Sequence, residues 1–585
     1  MIKKPLRSQT LMVSLNAALV VLCLAFLTIL SIYRIPLPFW DMVKVHQFFL
    51  TQEERPLAWL SSAIFDFRDN EHRPYVAFLF WGIDWELTRL EGQISQGVMF
   101  ALVFVVAYIG SQWRHELKVS GLQSLIFLAS SLLLVNFWHA TNLLWDKQLH
   151  VYLSVVCTLG SLWLSSKLAV ARHPLLLQLG ALLLAVLATF SFGYGLVVWP
   201  LLLLQALLTR RPACILWTTC AAVGTIAYYL STYEILAYHD SPLESLSKPF
   251  ALINFMARLL GPHMALPFFP VWLQQIIGGL GLGVVLTLAV YEFWSANKHY
   301  KSLSLPLLIC LFSLGVALLT ALTRVSISSP IASRYLIIQA LYVIGFFGLF
   351  VNMRPGARWQ RGTIILFFTY TLACSATSVF VYESVRRLHT NAIDSAIAYV
   401  AGTQPTGSGL FPGNAPPGDW WSDYLAIHSD RRDLQHLSWL GRPWNDISAA
   451  YALEQSSGCE GAVLTNHNEA SGSGPIEGWA RMDEGSEYLP KRMVALSASQ
   501  QVIGLGTTGH FRQPEGGAME LVSFQTPHFA ENLIWLIRPE AHERFVLHIA
   551  RPQSRVNALL VTDGESYCSL PIDRPVRHTT PPVSV

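Results

Sequence analysis

The sequence predicts an α-helical polytopic membrane protein with about eleven transmembrane helices and a C-terminal β-rich, sandwich-like domain. Three observations predict it. Of the 585 residues, 52% are hydrophobic and only 13% are charged, with a mean hydropathy of +0.41. A soluble globular chain carries about 25% charged residues, so charge this sparse cannot cover a water-facing surface of such size. Apolar runs succeed one another at residues 11–33, 94–111, 122–137, 151–164, 175–189, 195–208, 213–230, 271–291, 305–322, 335–351 and 363–381. From about residue 388 the long runs stop, and Gly, Pro, Ser, Asn and Asp become common.

The first run follows a basic start (Lys3, Lys4, Arg7) and is longer than the ~7–15 apolar residues of a signal peptide. With no small-residue cleavage site behind it, an uncleaved first helix is expected. Several later runs fall short of the ~20 residues that cross ~30 Å of hydrocarbon. The pair 175–189 and 195–208 reads as two short spans or one bent hairpin meeting the interface at Phe192–Gly195.

Basic residues set the expected orientation. With the N-terminus inside, the inside connections carry Arg114 and Lys118, Lys167 and Arg172, Arg210 and Arg211, Lys298 and Lys301, then Arg354, Arg358 and Arg361. The turn at residues 191–194 has none. Arg386 and Arg387 dissent, and snorkelling or contact with lipid phosphate accounts for them at this level. An odd number of spans places residues 388–585 outside, so the expected setting is a bacterial inner membrane with a cytoplasmic N-terminus and a periplasmic tail. Stretches 492–496, 501–505, 533–537 and 544–549 alternate as strands do.

Of the eight cysteines, six lie in apolar runs as small hydrophobes, while Cys459 and Cys568 stand alone in the polar tail. A disulfide between these two and a pair of free thiols are both open readings.

Chemistry concentrates in the outside loops. The longest, residues 34–92, contains Asp41 just past the first helix, then Asp66, Asp69, Asn70, Glu71, His72 and Arg73, and finally Asp84, Trp85 and Glu86. Carboxylates beside tryptophans at a membrane surface suit a site where a base removes a proton from a polar group on a lipid. For Trp81, Trp85 and the Phe residues, the plainer reading is an interfacial amphipathic helix, with its acids facing water and its aromatic residues in the headgroup belt. The loop at 137–150 offers His139, Asn142, Trp145, Asp146 and His150, read equally as pocket lining or as an aromatic headgroup-level turn. Arg334 opens a transmembrane run where helix dipole and free N–H groups already favour an anion, and Tyr335 follows it. The loop 231–270 adds His239, Asp240, Lys248 and His263 with no recognisable spacing. Walker A, dinucleotide, CxxC and HExxH motifs are absent, and no inside segment is long enough for a nucleotide-sugar-binding domain. Nucleic acid is not an expected partner.

This pattern resembles the GT-C type glycosyltransferases, membrane enzymes that use polyprenyl-phosphate-linked sugars. The resemblance covers roughly residues 1–387. It rests on the many-helix body, on the long first outside loop with Asp41, and on the outside-facing soluble tail. Locally, Asn70-Glu71-His72-Arg73, Asn142-Leu143-Leu144-Trp145, Gly195-Leu196 through Trp199-Pro200, and Ser333-Arg334-Tyr335 look like segments of uncharacterised bacterial members. The second acidic residue departs from the pattern, since Glu71 lies far downstream of Asp41.

The resemblance implies an inverting transfer from a lipid-linked donor to a hydroxyl on a glycan, lipid or protein. Asp41 would be the base, with Glu71 as its acidic companion. Arg334 and Arg73 would hold the lipid phosphate, with Asn70, His72, Asn142 and Tyr335 lining the site. A divalent cation on Asp41 and Glu71 is compatible with it. The tail resembles sugar-binding-like sandwich appendages, with Trp420, Trp421 and Trp479 either stacking on sugar or forming a core. Two other classes stay open: a transporter or flippase for a lipid-linked glycan, and a non-catalytic envelope assembly protein.

Overall fold

The computed structural model describes residues 5–35, 42–51, 72–88, 92–117, 122–231, 233, 240–265, 269–299, 301–326, 333–353, 356–382, 385–386, 388–390, 457–465, 476–481, 492–497, 499, 502–508, 544–549, 556–562 and 567–571. The chain divides into two compact units. One holds Met1–Ile32 and Phe48–Val381, the other Tyr33–Gln47 and most of the chain after Tyr382.

Eight helices of the first unit are long and apolar enough to cross a membrane: Met12–Ile32, Gln93–Gly110, Asp146–Ser166, Pro212–Ser231, Val271–His299, Leu305–Arg324, Leu336–Met353 and Ala357–Val381. The pair Gln123–Val135 and Phe137–Leu144, bent by 45°, is a broken span or a re-entrant loop. Asn136 makes the break. Its side chain accepts from the Trp138 amide at 3.1 Å and donates to the Leu132 and Leu133 carbonyls, capping one helix while starting the next. The remaining two apolar runs form the shorter helices Pro174–Thr189 and Gly193–Thr209. Each expected run is therefore a helix.

Burial sorts these helices. Asp146–Ser166, Leu305–Arg324 and Leu336–Met353 are mostly buried and make the centre of the bundle, whereas Pro212–Ser231 and Val271–His299 are mostly exposed. Exposed side chains on the outer helices are aliphatic and aromatic, among them Leu183, Leu216, Val223, Leu280 and Val290. A surface of this kind is one that lipid covers.

Within the second unit, the Tyr33 and Tyr382 hydroxyls share a 2.6 Å hydrogen bond, and His389 Nδ1 lies 2.9 Å from the Arg34 carbonyl.

Four expectations outside the spans are corrected. Segment 34–92 contains the helices Met42–Thr51 and Tyr75–Thr88. Trp81 and Trp85 do not sit in a headgroup belt. Both are buried, and Trp85 stacks on Phe49 at 5.8 Å between ring centres. Asp84 between them does not face water either: its carboxylate is fully buried and accepts from the Ser95 amide at 3.1 Å and hydroxyl at 2.7 Å, holding the first turn of Gln93–Gly110. The loop 231–270 contains the 17-residue helix Pro249–Ala265, hidden from a hydropathy reading by Arg258, Pro262 and His263. It packs on Val271–His299 so closely that a Cβ on Gly278 would lie 2.1 Å from the Ala257 carbonyl oxygen, which is why glycine stands there. Finally, Arg386 does not snorkel; it is buried at 2% exposure.

In the second unit the described strands are β1 (Ser457–Gly458), β2 (Glu460–Thr465), β3 (Ile476–Arg481), β4 (Arg492–Ser497), β5 (Val502–Thr508), β6 (Arg544–Ile549), β7 (Val556–Thr562) and β8 (Tyr567–Pro571). They form one sheet in the order β1-β8-β7-β4-β5-β6-β3-β2, antiparallel except for β1 beside β8. Three expected strands coincide with β4, β5 and β6, while residues 533–537 lie outside the described residues. A second sheet facing the first, as the sandwich expectation requires, is not among the described residues. Met493–Leu496 and Leu559–Val561 are buried at every position, so the central strands β4 and β7 are covered on both faces. Cys459 and Cys568 are joined by a disulfide, closing a loop between residues 109 apart. Trp479 lies in β3 opposite Ala462; Trp420 and Trp421 lie outside the described residues.

Candidate functional site

An aromatic turn at residues 190–194 connects the segments that carry the expected site residues. Its start is fixed by the Val76 amide, which donates to the Phe190 carbonyl at 3.2 Å, and by Tyr75 stacked on the Phe190 ring at 5.5 Å. Phe192 then meets the His72 ring at 4.0 Å, the His150 ring at 4.5 Å and Tyr194 at 4.6 Å. His72 Nδ1 also lies 3.4 Å from the Tyr229 hydroxyl. Gly195 permits the turn: a Cβ there would stand 2.3 Å from the Ala188 carbonyl carbon and the Thr189 nitrogen.

On one side of this turn sits Arg73, 1% exposed, its guanidinium donating to the His72 carbonyl at 3.2 Å. On the other, Tyr194 is buried within electrostatic reach of Tyr335, Arg334 and Arg324. Arg334 occupies the single 3-10 turn Ser333–Tyr335 that opens the helix Leu336–Met353, with its guanidinium 5.2 Å from the centre of the Tyr335 ring. That turn packs against the short helix Ala140–Leu144, which carries buried Asn142. Of the expected site residues, His72, Arg73, Asn142, Arg334 and Tyr335 are therefore gathered about one region of the bundle. Asp41, Asn70 and Glu71 lie outside the described residues.

Residues 137–150 are not a headgroup-level turn. From Phe137 to His150 each one is buried, and the Trp81 indole donates to the Asp146 carbonyl at 3.4 Å. His139 stacks on His263 at 5.4 Å with an interplanar angle of 14°, and both rings have zero exposure. Neither ring has a hydrogen-bond partner on either nitrogen among the described residues, and the same holds for the Tyr335 hydroxyl and both amide atoms of Gln339. Tyr335 and Gln339 are four residues apart and so share a helix face. The elements carrying His139 and His263 both pack on that helix. Buried polar atoms are otherwise nearly always satisfied, so this concentration marks a place for water or a polar ligand.

The chain matches no family model, no curated protein and no solved structure.

Sequence reasoning gave no role to His263 or Gln339, and saw in Phe192 and Tyr194 only interfacial residues. Gln339 sits inside an apolar run, and His263 in a stretch without helical signal. For a metal, the described residues bring no three His, Cys, Asp or Glu side chains around one point. The two carboxylates assigned to a cation by resemblance are beyond them.

His263 gives the region a pH signature. It lies on Pro249–Ala265, which is not among the helices long and apolar enough to cross a membrane, and burial pushes its imidazole from the ordinary 6.5 down to about 3. The folded protein keeps the ring neutral where the unfolded chain would protonate it. Stability is complete above pH 6.5 and falls as pH drops towards 3, by at most about 1.4 kcal/mol per unit from this group. Melting temperatures of the detergent-purified protein between pH 7.5 and 5 are expected to decline, and to decline less steeply in His263→Gln.

Proposed function

We propose that this protein is a membrane-embedded inverting glycosyltransferase that moves a sugar from a polyprenyl-phosphate carrier to an acceptor hydroxyl on the outer side of the membrane. The observation that carries the reading is the placement of Arg334 and Tyr335 at the mouth of a buried helix, beside buried polar atoms with no hydrogen-bond partner among the described residues and across one aromatic turn from His72 and Arg73. Arg334 at the start of Leu336–Met353 and Arg73 ahead of Tyr75–Thr88 suit a lipid phosphate, and buried polar atoms without a partner among the described residues suit a sugar.

In the proposed step the acceptor oxygen attacks the anomeric carbon while Asp41 takes its proton. The bond from the anomeric carbon to the phosphate oxygen breaks, and the electron pair leaves with the polyprenyl phosphate. Arg334 and Arg73 stabilise the charge gathering on that phosphate. Attack opposite the leaving group inverts the anomeric centre.

The break at Asn136 favours a second reading, because broken helices beside buried polar groups also line transport paths. Donor fate separates the two. Incubated with a polyprenyl-phosphate sugar in vesicles, a transferase yields sugar-free polyprenyl phosphate and a product of inverted configuration. A flippase relocates the donor intact, and that result would remove the transferase reading.

Orientation is tested separately. In a background with exposed Cys220 replaced by serine, a membrane-impermeant maleimide added to intact cells is expected to label Leu243→Cys and to spare Val170→Cys, both at exposed positions. The reverse pattern would turn the protein over.

A further inference from the structure

A built pocket lies where the basic connections gather, away from the candidate site. Its volume is about 530 Å³, within the range of small-molecule sites. The walls come from the turn Gln112–Glu116, the end of Leu149–Ser166, the last turns of Val271–His299 and residues 301–305. Cross-links hold these walls in place. The Ala169 amide donates to the Ser302 hydroxyl at 3.3 Å, the Leu303 amide to the Gln205 side-chain oxygen at 2.8 Å, and Gln205 Nε2 to the Leu303 carbonyl at 3.2 Å.

Among the described residues the charges lining this pocket do not cancel. Its carboxylate, Glu292, is committed to the start of the next helix, accepting from the Ser304 amide and, at 3.0 Å, from the Ser304 hydroxyl. Neighbouring Arg114 is spent internally: it donates to the Ser111 hydroxyl at 2.6 Å and the Tyr108 carbonyl at 3.1 Å. Lys167 lies over the Trp163 ring at 4.6 Å. Among the described residues no carboxylate stands within ion-pair distance of Lys167 or Lys301. Partial burial, then Arg114 and Lys167, push the His115 imidazole below its ordinary value, as a positive surrounding does.

We propose that this pocket binds the phosphate of an anionic ligand between Lys167 and Lys301, with Trp163 holding Lys167 in position. Basic pockets between transmembrane helices take phospholipid headgroups in this way, and a soluble phosphate would use the same contacts. The proposal stands independently of the transferase reading.

The full-length protein in phosphatidylcholine nanodiscs, with and without phosphatidylglycerol, is examined for retained lipid by native mass spectrometry and titrated separately with inorganic phosphate. Wild type is expected to retain phosphatidylglycerol over phosphatidylcholine. Lys167→Gln with Lys301→Gln together should weaken binding about thirtyfold, and each alone about fivefold. Lys298→Gln, a lysine over Trp294 that does not line the pocket, should leave binding unchanged. Inorganic phosphate binding that is lost in the double variant, without selective lipid retention, supports the site with a soluble ligand. Binding indifferent to the double substitution, equal loss in Lys298→Gln, or no binding of either probe overturns the proposal. The single substitutions keep the test decisive if the double variant misfolds.

Discussion

Arg334→Ala is expected to lower transfer from a polyprenyl-phosphate sugar by about 10²–10³-fold, the usual effect of removing one donor from a developing oxyanion. The phosphate oxygen gains its charge as the glycosidic bond breaks, so the guanidinium matters more in the transition state than in the bound donor. The loss should therefore appear chiefly in kcat and only weakly in KM. Arg334→Lys keeps the charge but replaces a planar fork with a point donor, and an intermediate activity is expected. A structural role alone would predict the opposite order of evidence: a lowered melting temperature in Arg334→Ala with kcat preserved in the surviving fold. Arg334 is partly exposed and sits at a helix start beside Tyr335, so its truncation leaves the apolar face of Leu336–Met353 untouched.

Asp41→Ala is expected to reduce turnover by about 10²–10⁴-fold, the span of general base catalysis. An unassisted hydroxyl must lose its proton to water as it attacks, so the deficit should shrink as pH rises. Asp41→Glu retains a carboxylate on a longer stem and should recover part of the rate. Donor binding, read as lipid retained on purification, should survive fully in Asp41→Ala and weaken only severalfold in Arg334→Ala, because only the arginine is assigned to the phosphate and its contact strengthens mainly in the transition state. Equal loss of binding in both variants would contradict that division of labour.

Much of the helical body was legible in the sequence, because lipid demands a continuous apolar run and the runs are long enough to see. What escaped notice was whatever broke that code. Pro249–Ala265 carries Arg258, Pro262 and His263, so its hydropathy never reaches that of a span although it packs as tightly as any helix in the bundle. Asp84 read as a water-facing acid because sequence shows charge and not geometry; the amide and hydroxyl of Ser95, eleven residues on, make its burial tolerable. Trp81 and Trp85 read as headgroup anchors for the same reason, since an interfacial aromatic and a core aromatic look alike in one dimension. The site is legible only in part. Arg334 could be recognised as a cation at a helix start, a local feature. The meeting of His72 with Phe192, and of His139 with His263, depends on contacts across more than one hundred residues, for which no spacing rule exists. The Cys459–Cys568 disulfide was a choice between two readings until the pairing of β1 with β8 set the two cysteines side by side.

The most direct test of the account follows the fate of the donor's phosphate. Purified full-length protein in nanodiscs is given a panel of polyprenyl-phosphate sugars with membrane extract as the source of acceptor, and released polyprenyl phosphate is counted against time. Wild type should release it from at least one donor, while Arg334→Ala and Asp41→Ala, folded by melting temperature, should release almost none. Release that proceeds equally in all three proteins, or no release from any donor by a wild-type protein that binds it, would contradict the transferase.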